Sequence, residues 1–454
     1  MSNMNRESLE MRDIMMKGQE IKTRKRGRFA ASILPLVVTM AVMTGCEGIL
    51  DVAADPHFVD ASTNPAQLNE TLVGAQVDMY FIYDVWMYET NMFSGGMASV
   101  GQLRYTQSLR QVYREGGQAG GLTGGTRDRR GPAVGYYAFL QQALYSSKKA
   151  QERILAGEFE TITDPSGSAE YARVSVYRGF ELIWISDFYC EFVLNGAGPV
   201  ITSAQGYALA KTNFNAALAA AGASAADKSA ARAGLARVER LLGNDATAAS
   251  HASQVAADFK YEATYSQNTF TQTNHVWFRT WGFGEHTIAT AFQGLKLDDG
   301  TTDDPRTATT TNPVPPRGDH SNVYAPNKVP SGASPLIITS GIEMHFIIAE
   351  SLYATNPDSA RTILNTIRSK RGVTETVSAS LSGTALRDKI IDERRRTLLL
   401  EGTLMGDTRL YKTKYSVDKF HTSIPQGLAV GSMTCRLVPQ REIDNIPGLV
   451  YTSS

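Results

Sequence analysis

Between residues 136 and 259 apolar side chains return every three to four positions, the period of helices that bury one face. The pattern predicts helices at 136–155, 169–193, 207–221, 228–242 and 246–259, paired as hairpins. In AARAGLARVERLLGNDATAASHASQVAADF, Ala231, Leu235, Val238 and Leu242 form one stripe, Gly243-Asn244-Asp245 turns the chain, and Ala248, Ala252, Val255 and Ala256 return. A first helix is expected at 65–83, opened by Asn64-Pro65. Further helices are expected at 342–354 and 356–371, the second bounded by Asn356 and Pro357 at its start and Gly372 at its stop. Leu386, Ile390, Ile391 and Leu398 give one more apolar face, with Arg394 and Glu401 sharing a stripe, Glu393 within reach of Arg396, and Gly402 ending the helix. Residues 260–335 carry neither period: Thr, Asn, Asp, Pro and Gly dominate, with Tyr265, Phe270, Trp277, Phe278, Trp281 and Phe283 among them. The glycine-rich stretch 116–131 and the tail 425–454 are also irregular. A mostly α fold of helical hairpins with a loop-rich, irregular insert follows.

The amino-terminal 45 residues are of another kind. Arg24, Lys25, Arg26 and Arg28 precede an apolar run over 29–43, shorter than the roughly 20 residues that span a bilayer. The run ends in Val42-Met43-Thr44-Gly45-Cys46, which resembles a bacterial lipobox. That resemblance implies cleavage before Cys46, lipidation of its sulfur, export, and a membrane tether through acyl chains. An uncleaved anchor helix is the plainer alternative, and Met15 or Met16 suits a shorter signal start. The expected organisation is therefore a signal peptide at 1–45, a lipidated tether at 46–64 and one α-rich domain at 65–454.

Charge narrows the function classes. Without residues 1–45, which hold eight Lys/Arg and four Asp/Glu, the chain carries 37 basic and 41 acidic residues. Such a balance supplies no footprint for nucleic acid. Besides Cys46 only Cys190 and Cys435 remain, compatible with one bridge or two buried thiols; the apolar helical run around Cys190 favours thiols. The seven histidines form no His-x-x-x-His pair, so metal ligation is not supported, and no cofactor motif appears. The glycines of 116–131 lack the Gly-Lys-Ser/Thr or strand-led G-x-G-x-x-G that cradles phosphate. Asp298, Asp299, Asp303 and Asp304 cluster in an oxygen-rich stretch that fits no EF-hand and reads first as a solvated turn.

The string IIDERRRTLLLEGTLMGDTRLYK, residues 390–412, resembles the carboxy-terminal signature of the SusD/RagB family through Glu393, Arg394, Arg395, Glu401, Gly402, Asp407 and Arg409. Cys46-Glu47 with Leu50-Asp51-Val52, Asp304-Pro305-Arg306, the run Asn365 to Arg368, and Pro439-Gln440-Arg441-Glu442-Ile443 agree with it in order. Thr403-Leu404-Met405-Gly406 departs from it, standing where the family carries a bulky aromatic pair. The hairpins are similar to tetratricopeptide repeats. The resemblance implies a SusD-like, surface-exposed outer-membrane lipoprotein without catalysis, partnered with a SusC-like TonB-dependent transporter and an oligosaccharide or peptide ligand. It also implies that the Glu393-to-Arg409 string is structural.

Sugar C–H faces pack on aromatic rings, so Trp277 and Trp281 are the first ligand-binding candidates, with Tyr265 and Trp86 next. Core filling is the competing reading, since residues four apart on a helix share one buried stripe. Two other function classes stay open: a helical-repeat scaffold that binds only protein, and a surface hydrolase, although neither G-x-S-x-G nor H-E-x-x-H is present.

Overall fold

The computed structural model describes residues 65–99, 132–194, 198–269, 272–284, 286–313, 322–420, 434–436 and 438. The leader, Cys46, the tether, the glycine-rich stretch and the Pro439 to Ile443 element lie outside the described residues.

The fold is mostly α. Helix α1 spans Pro65–Ser94, eleven residues beyond its expected end, because the apolar run through Phe93 continues to find a buried partner surface. Strand β1, Met97–Ser99, follows it. Helices α2 (Pro132–Leu155) and α3 (Ala169–Phe188) come next. Helix α3 stops five residues before its expected end, and Glu191–Phe192 becomes strand β2, paired antiparallel with β3 (Ile201–Thr202). Helices α4 (Ser203–Ala219), α5 (Ala225–Leu241) and α6 (Asp245–Ala252) complete the series, each helix from α2 onward packing on the next. Side-chain oxygens start three of them, satisfying amides a helix leaves open: Ser168 accepts from Tyr171 N, Thr202 from Gln205 N, and Ser224 from Asp227 N.

Phe214 of α4 shows why three helices approach closely. It is fully buried against Gly179 of α3 and Gly234 of α5, where a methyl group at either glycine would run into its ring. Beside it, Tyr83, Trp86, Phe180 and Trp184 pack ring on ring, Tyr83 to Trp184 at 4.8 Å between centroids. This aromatic block joins α1 to α3 in the main core.

The expected structureless insert contains short strands and turns. Helix α6 stops at Ala252, seven residues before its expected end; turns fill 253–259, and strand β4 (Lys260–Ala263) then pairs antiparallel with β8 (Leu336–Ser340). Between them lie a one-turn helix α7 (His275–Trp277), continued by a π turn at Phe278–Gly282, and strands β5 (His286–Ile288), β6 (Thr309–Thr311) and β7 (Tyr324–Pro326). Strand β5 pairs with β1, and β6 with β7. Strands of three to five residues are too short for a period-two alternation to stand out in the sequence.

Helices α8 (Gly341–Leu352), α9 (Pro357–Lys370), α10 (Gly383–Thr397) and α11 (Leu404–Tyr415) form the carboxy-terminal part. Asn356 accepts from Ser359 N, Pro357 takes the first turn and Gly372 has φ 78°. Helix α10 ends before Gly402: its stop is Leu398, and Leu400 and Gly402 both take left-handed backbone at φ 60° and 72°. Glu401 is therefore off the helix and does not share a stripe with Arg394.

One correction concerns the cysteines. Cys190 and Cys435 are bridged, with Cα atoms 5.1 Å apart. Cys190 lies just past α3, where its N–H donates to the Arg436 carbonyl, and so the carboxy-terminal segment runs beside it. The helical environment that favoured free thiols ends two residues too early.

Candidate functional site

Glu393, Arg394, Glu401 and Asp407 stand inside the protein, almost wholly buried, although the string is rich in charge. Burial pushes the Glu393 carboxyl up, but Arg368 at 2.6 Å and Arg306 outweigh it and hold it at about 2. Its expected partner Arg396 pairs instead with Asp392 and Asp304. Arg306 also forks onto Asp304 through bonds of 2.7 and 2.8 Å. Arg394 bonds Asp407 at 2.8 Å; Asp407 bonds Arg240 at 2.7 Å, and Arg240 reaches Glu350. Glu401 accepts from Arg371 and Lys328, and Arg409 caps the end of α3 by donating to the Ser186 and Asp187 carbonyls. Arg395 lies over the Phe292 ring, and Gly402 leaves room for the Tyr83 hydroxyl. Glu393, Glu401 and Asp407 each meet at least one buried or half-buried cation, an arrangement that ties α5, α8, α9, α10 and α11 together. Leu404 and Met405 fill the core at the point where the signature's aromatic pair is missing, and Gly406 lies against the Asp187 carboxylate.

The aromatic candidates separate into two sets. Trp86 is 3 % exposed, stacked in the α1–α3 core, and its indole N–H donates to the Trp184 carbonyl at 3.0 Å. No face of that ring meets solvent, which corrects its reading as a ligand contact. Tyr265 is half-buried, packed on the main core, with its hydroxyl donating to the Tyr80 carbonyl. Trp277 and Trp281 are both half-buried and lie on one irregular helical turn. Trp277 rests against the core beside Gly332, and Trp281 carries a buried indole N–H without a hydrogen-bond partner.

Polar anchors that the sequence did not single out hold this turn. Asn274 accepts from Trp277 N at 3.0 Å and donates to the Ser334 carbonyl at 2.8 Å. Asn312 donates to the Thr280 and Trp281 carbonyls at 2.7 and 2.9 Å. Asp84 of α1 accepts from both the backbone N–H and the ring Nδ1 of His275, at 2.5 and 2.8 Å. Nearby, Tyr88 bonds His286 at 2.7 Å and the Arg279 guanidinium lies over the Tyr88 and Phe278 rings. Half-buried aromatic faces on a loop-built side are what sugar recognition uses, while Asn274 and Asn312 are buried and spent on the main chain. Of the acidic cluster, Asp298 is taken by Arg368 and Lys389, Asp303 by Lys296 and Asp304 by Arg306, while Asp299 accepts from the amides of Thr301 and Thr302. Among the described residues no group of three or more His, Cys, Asp or Glu is placed to hold a metal ion.

No family model matches the sequence. Nor does any curated protein. Solved structures do. A SusD-like carbohydrate-binding protein from Bacteroides vulgatus superposes with a TM-score of 0.59 at 14 % identity, over 86 % of this chain and 100 % of that one. The surface glycan-binding protein A from Bacteroides uniformis gives 0.61 at 12 % identity, over 85 % and 99 %. A SusD superfamily protein from Bacteroides thetaiotaomicron gives 0.61 at 15 % identity, over 84 % and 99 %.

Proposed function

We propose, from the SusD-like fold this chain carries, that it is an outer-membrane surface lipoprotein without catalytic activity that binds a nutrient and passes it to a TonB-dependent transporter. The observation that carries this reading is the match of fold over 85–86 % of the chain to nearly the whole length of two proteins described as carbohydrate-binding or glycan-binding. A glycan is the favoured nutrient and a peptide the second, with Trp277 and Trp281 as the rings that meet it and Tyr265 as a supporting residue.

The lipoprotein part draws on two features. The lipobox ending at Cys46 implies export, and a disulfide such as Cys190–Cys435 persists in an oxidising compartment. None of the described helices is long and apolar enough to cross a membrane, so the acyl chains on Cys46 supply the anchor.

The docking face is the hairpin side. All the large apolar side chains exposed among the described residues, including Val73 and Val77 of α1 and Phe139 and Tyr145 of α2, lie on α1 to α5 or at their ends, and none on the loop side. Pulldown of the lipidated protein from detergent-solubilised outer membrane, followed by mass spectrometry, tests the partnership. A TonB-dependent barrel is expected to co-purify; a verified outer-membrane sample that yields none turns the reading toward a scaffold. Calorimetry of a glycan panel against wild type and the Trp277→Ala/Trp281→Ala double variant tests the ligand, with heat from wild type only as the expected result.

A further inference from the structure

The turn that carries Trp277 and Trp281 has no long regular helix or sheet of its own to hold it. One turn of α-helix passes into a π turn, and its main-chain groups are held from outside by side chains. Two of the anchors belong to the loop side itself. Asn274 ties the start of the turn to the Gly332–Ser334 loop, its N–H donating to the Gly332 carbonyl and its amide to Ser334, while Asn312 ties the end through the Thr280 and Trp281 carbonyls.

The third anchor is different, because Asp84 sits in the middle of α1. One of its carboxylate oxygens accepts two bonds from His275, one from the first amide of the turn and one from the ring. The pair is buried: Asp84 is 1 % exposed, and the His275 ring stands edge-on to Phe81 of α1 at 5.8 Å and to Phe278 of the turn at 6.2 Å. Besides His275, the hydroxyls of Tyr83 and Tyr265 lie within electrostatic reach of Asp84. Hydrogen bonds to a carboxylate are shorter and stronger than neutral ones.

We propose that Asp84 is a positioning residue: by holding His275 it joins the helical scaffold to the loop side and sets where the Trp277 and Trp281 rings stand. The use of those rings for a glycan rests on the function proposed above, but their placement does not. The test therefore contains no glycan, and its failure is distinct from the failure of that reading.

The full chain labelled with 5-fluorotryptophan holds four tryptophans, and single Trp→Phe variants assign their fluorine signals. Trp184, 98 residues along the chain from the Trp86 indole that bonds it, reports on the core. In Asp84→Leu, which keeps the bulk and removes the acceptor, the Trp277 and Trp281 signals are expected to move or broaden by more than their linewidths while Trp184 stays. Asp84→Asn keeps an acceptor oxygen and is expected to restore both signals, a rescue that a general packing role would not show. His275→Phe removes only the ring bond and is expected to displace the Trp277 signal in the same direction by less. It decides the matter if Asp84→Leu does not fold. Unmoved Trp277 and Trp281 signals in a folded Asp84→Leu or His275→Phe, or equal displacement of Trp184, overturn the proposal.

Discussion

At the scale of single residues, burial decides the role of a side chain, and sequence spacing only narrows it. Trp86 and Trp277 are both tryptophans in aromatic surroundings, yet one is core and the other half-exposed, because α1 is enclosed through Phe93 and the loop-side turn is not. Asp84 had a legible signal: it is the lone acidic residue in the apolar run Met79 to Met87, and a charge there demands a partner. Its partner lies 191 positions away, beyond any local pattern. Glu181 of α3 is a similar case with a measurable consequence. One of its oxygens accepts from Ser147 at 2.6 Å, the other has no partner, and burial pushes its carboxyl up from 4.5 to about 7. Between pH 4.5 and 7 the native state thus binds more protons than the unfolded chain at this site, so stability falls as pH rises across that window and levels off above it. Asp187, raised from 3.8 to about 6 by burial against the pull of Tyr207, adds a slope of the same sign. Glu181→Gln is never charged, and urea unfolding at pH 5 to 8 should find it more stable than wild type by an amount growing to about 3 kcal/mol at pH 8. A difference that does not change with pH would mean that Glu181 is ionised throughout.

At the scale of elements, the helices that the 3.6-residue period marked are present, and their ends moved where tertiary partners continued or replaced them. Helix α1 gained three turns because its far end has a core to bury against. Helix α3 gave way to a strand where a partner strand stood alongside, and the expected helix to 259 gave way to turns after Ala252. The close approach of α3, α4 and α5 rests on a large ring facing two glycines, and the small residues crowding this region hinted at it. Phe214→Ala should empty that contact and cost about 3–5 kcal/mol, read as a fall in the urea midpoint with the slope unchanged. Gly234→Leu should be at least as damaging, since the ring has nowhere to go. The insert at 260–335 was legible as irregular, and its two-stranded pairs were not, because two of them find their partners in β1 and β8 and the third, β6 with β7, is only three residues long on each side.

At the scale of the whole molecule, two kinds of long-range tie hold the carboxy-terminal part to the hairpins. The first is the buried charge network, in which Arg237 forks onto Glu343 and Arg240 and Arg394 share Asp407. The second is the Cys190–Cys435 bridge, which closes a separation of 245 residues. A loop of that length makes the unfolded chain lose much freedom, so Cys190→Ala/Cys435→Ala, or reduction, should lower stability by about 3–5 kcal/mol, seen as a lower Tm in scanning calorimetry. An unchanged Tm would mean that the segment around Arg436 is held by its other contacts. The helical class, the hairpin spacing, the apolar run that ends at Cys46 and the Glu393-to-Arg409 string were all set down in the chain, because each depends on residues within a few turns of one another. Which tryptophans are core, which carboxylates hold which arginines, that the two cysteines meet, and that Asp84 reaches His275 were decided by the tertiary structure alone. Those facts depend on what burial and distance bring together across hundreds of residues, and no local period carries that information.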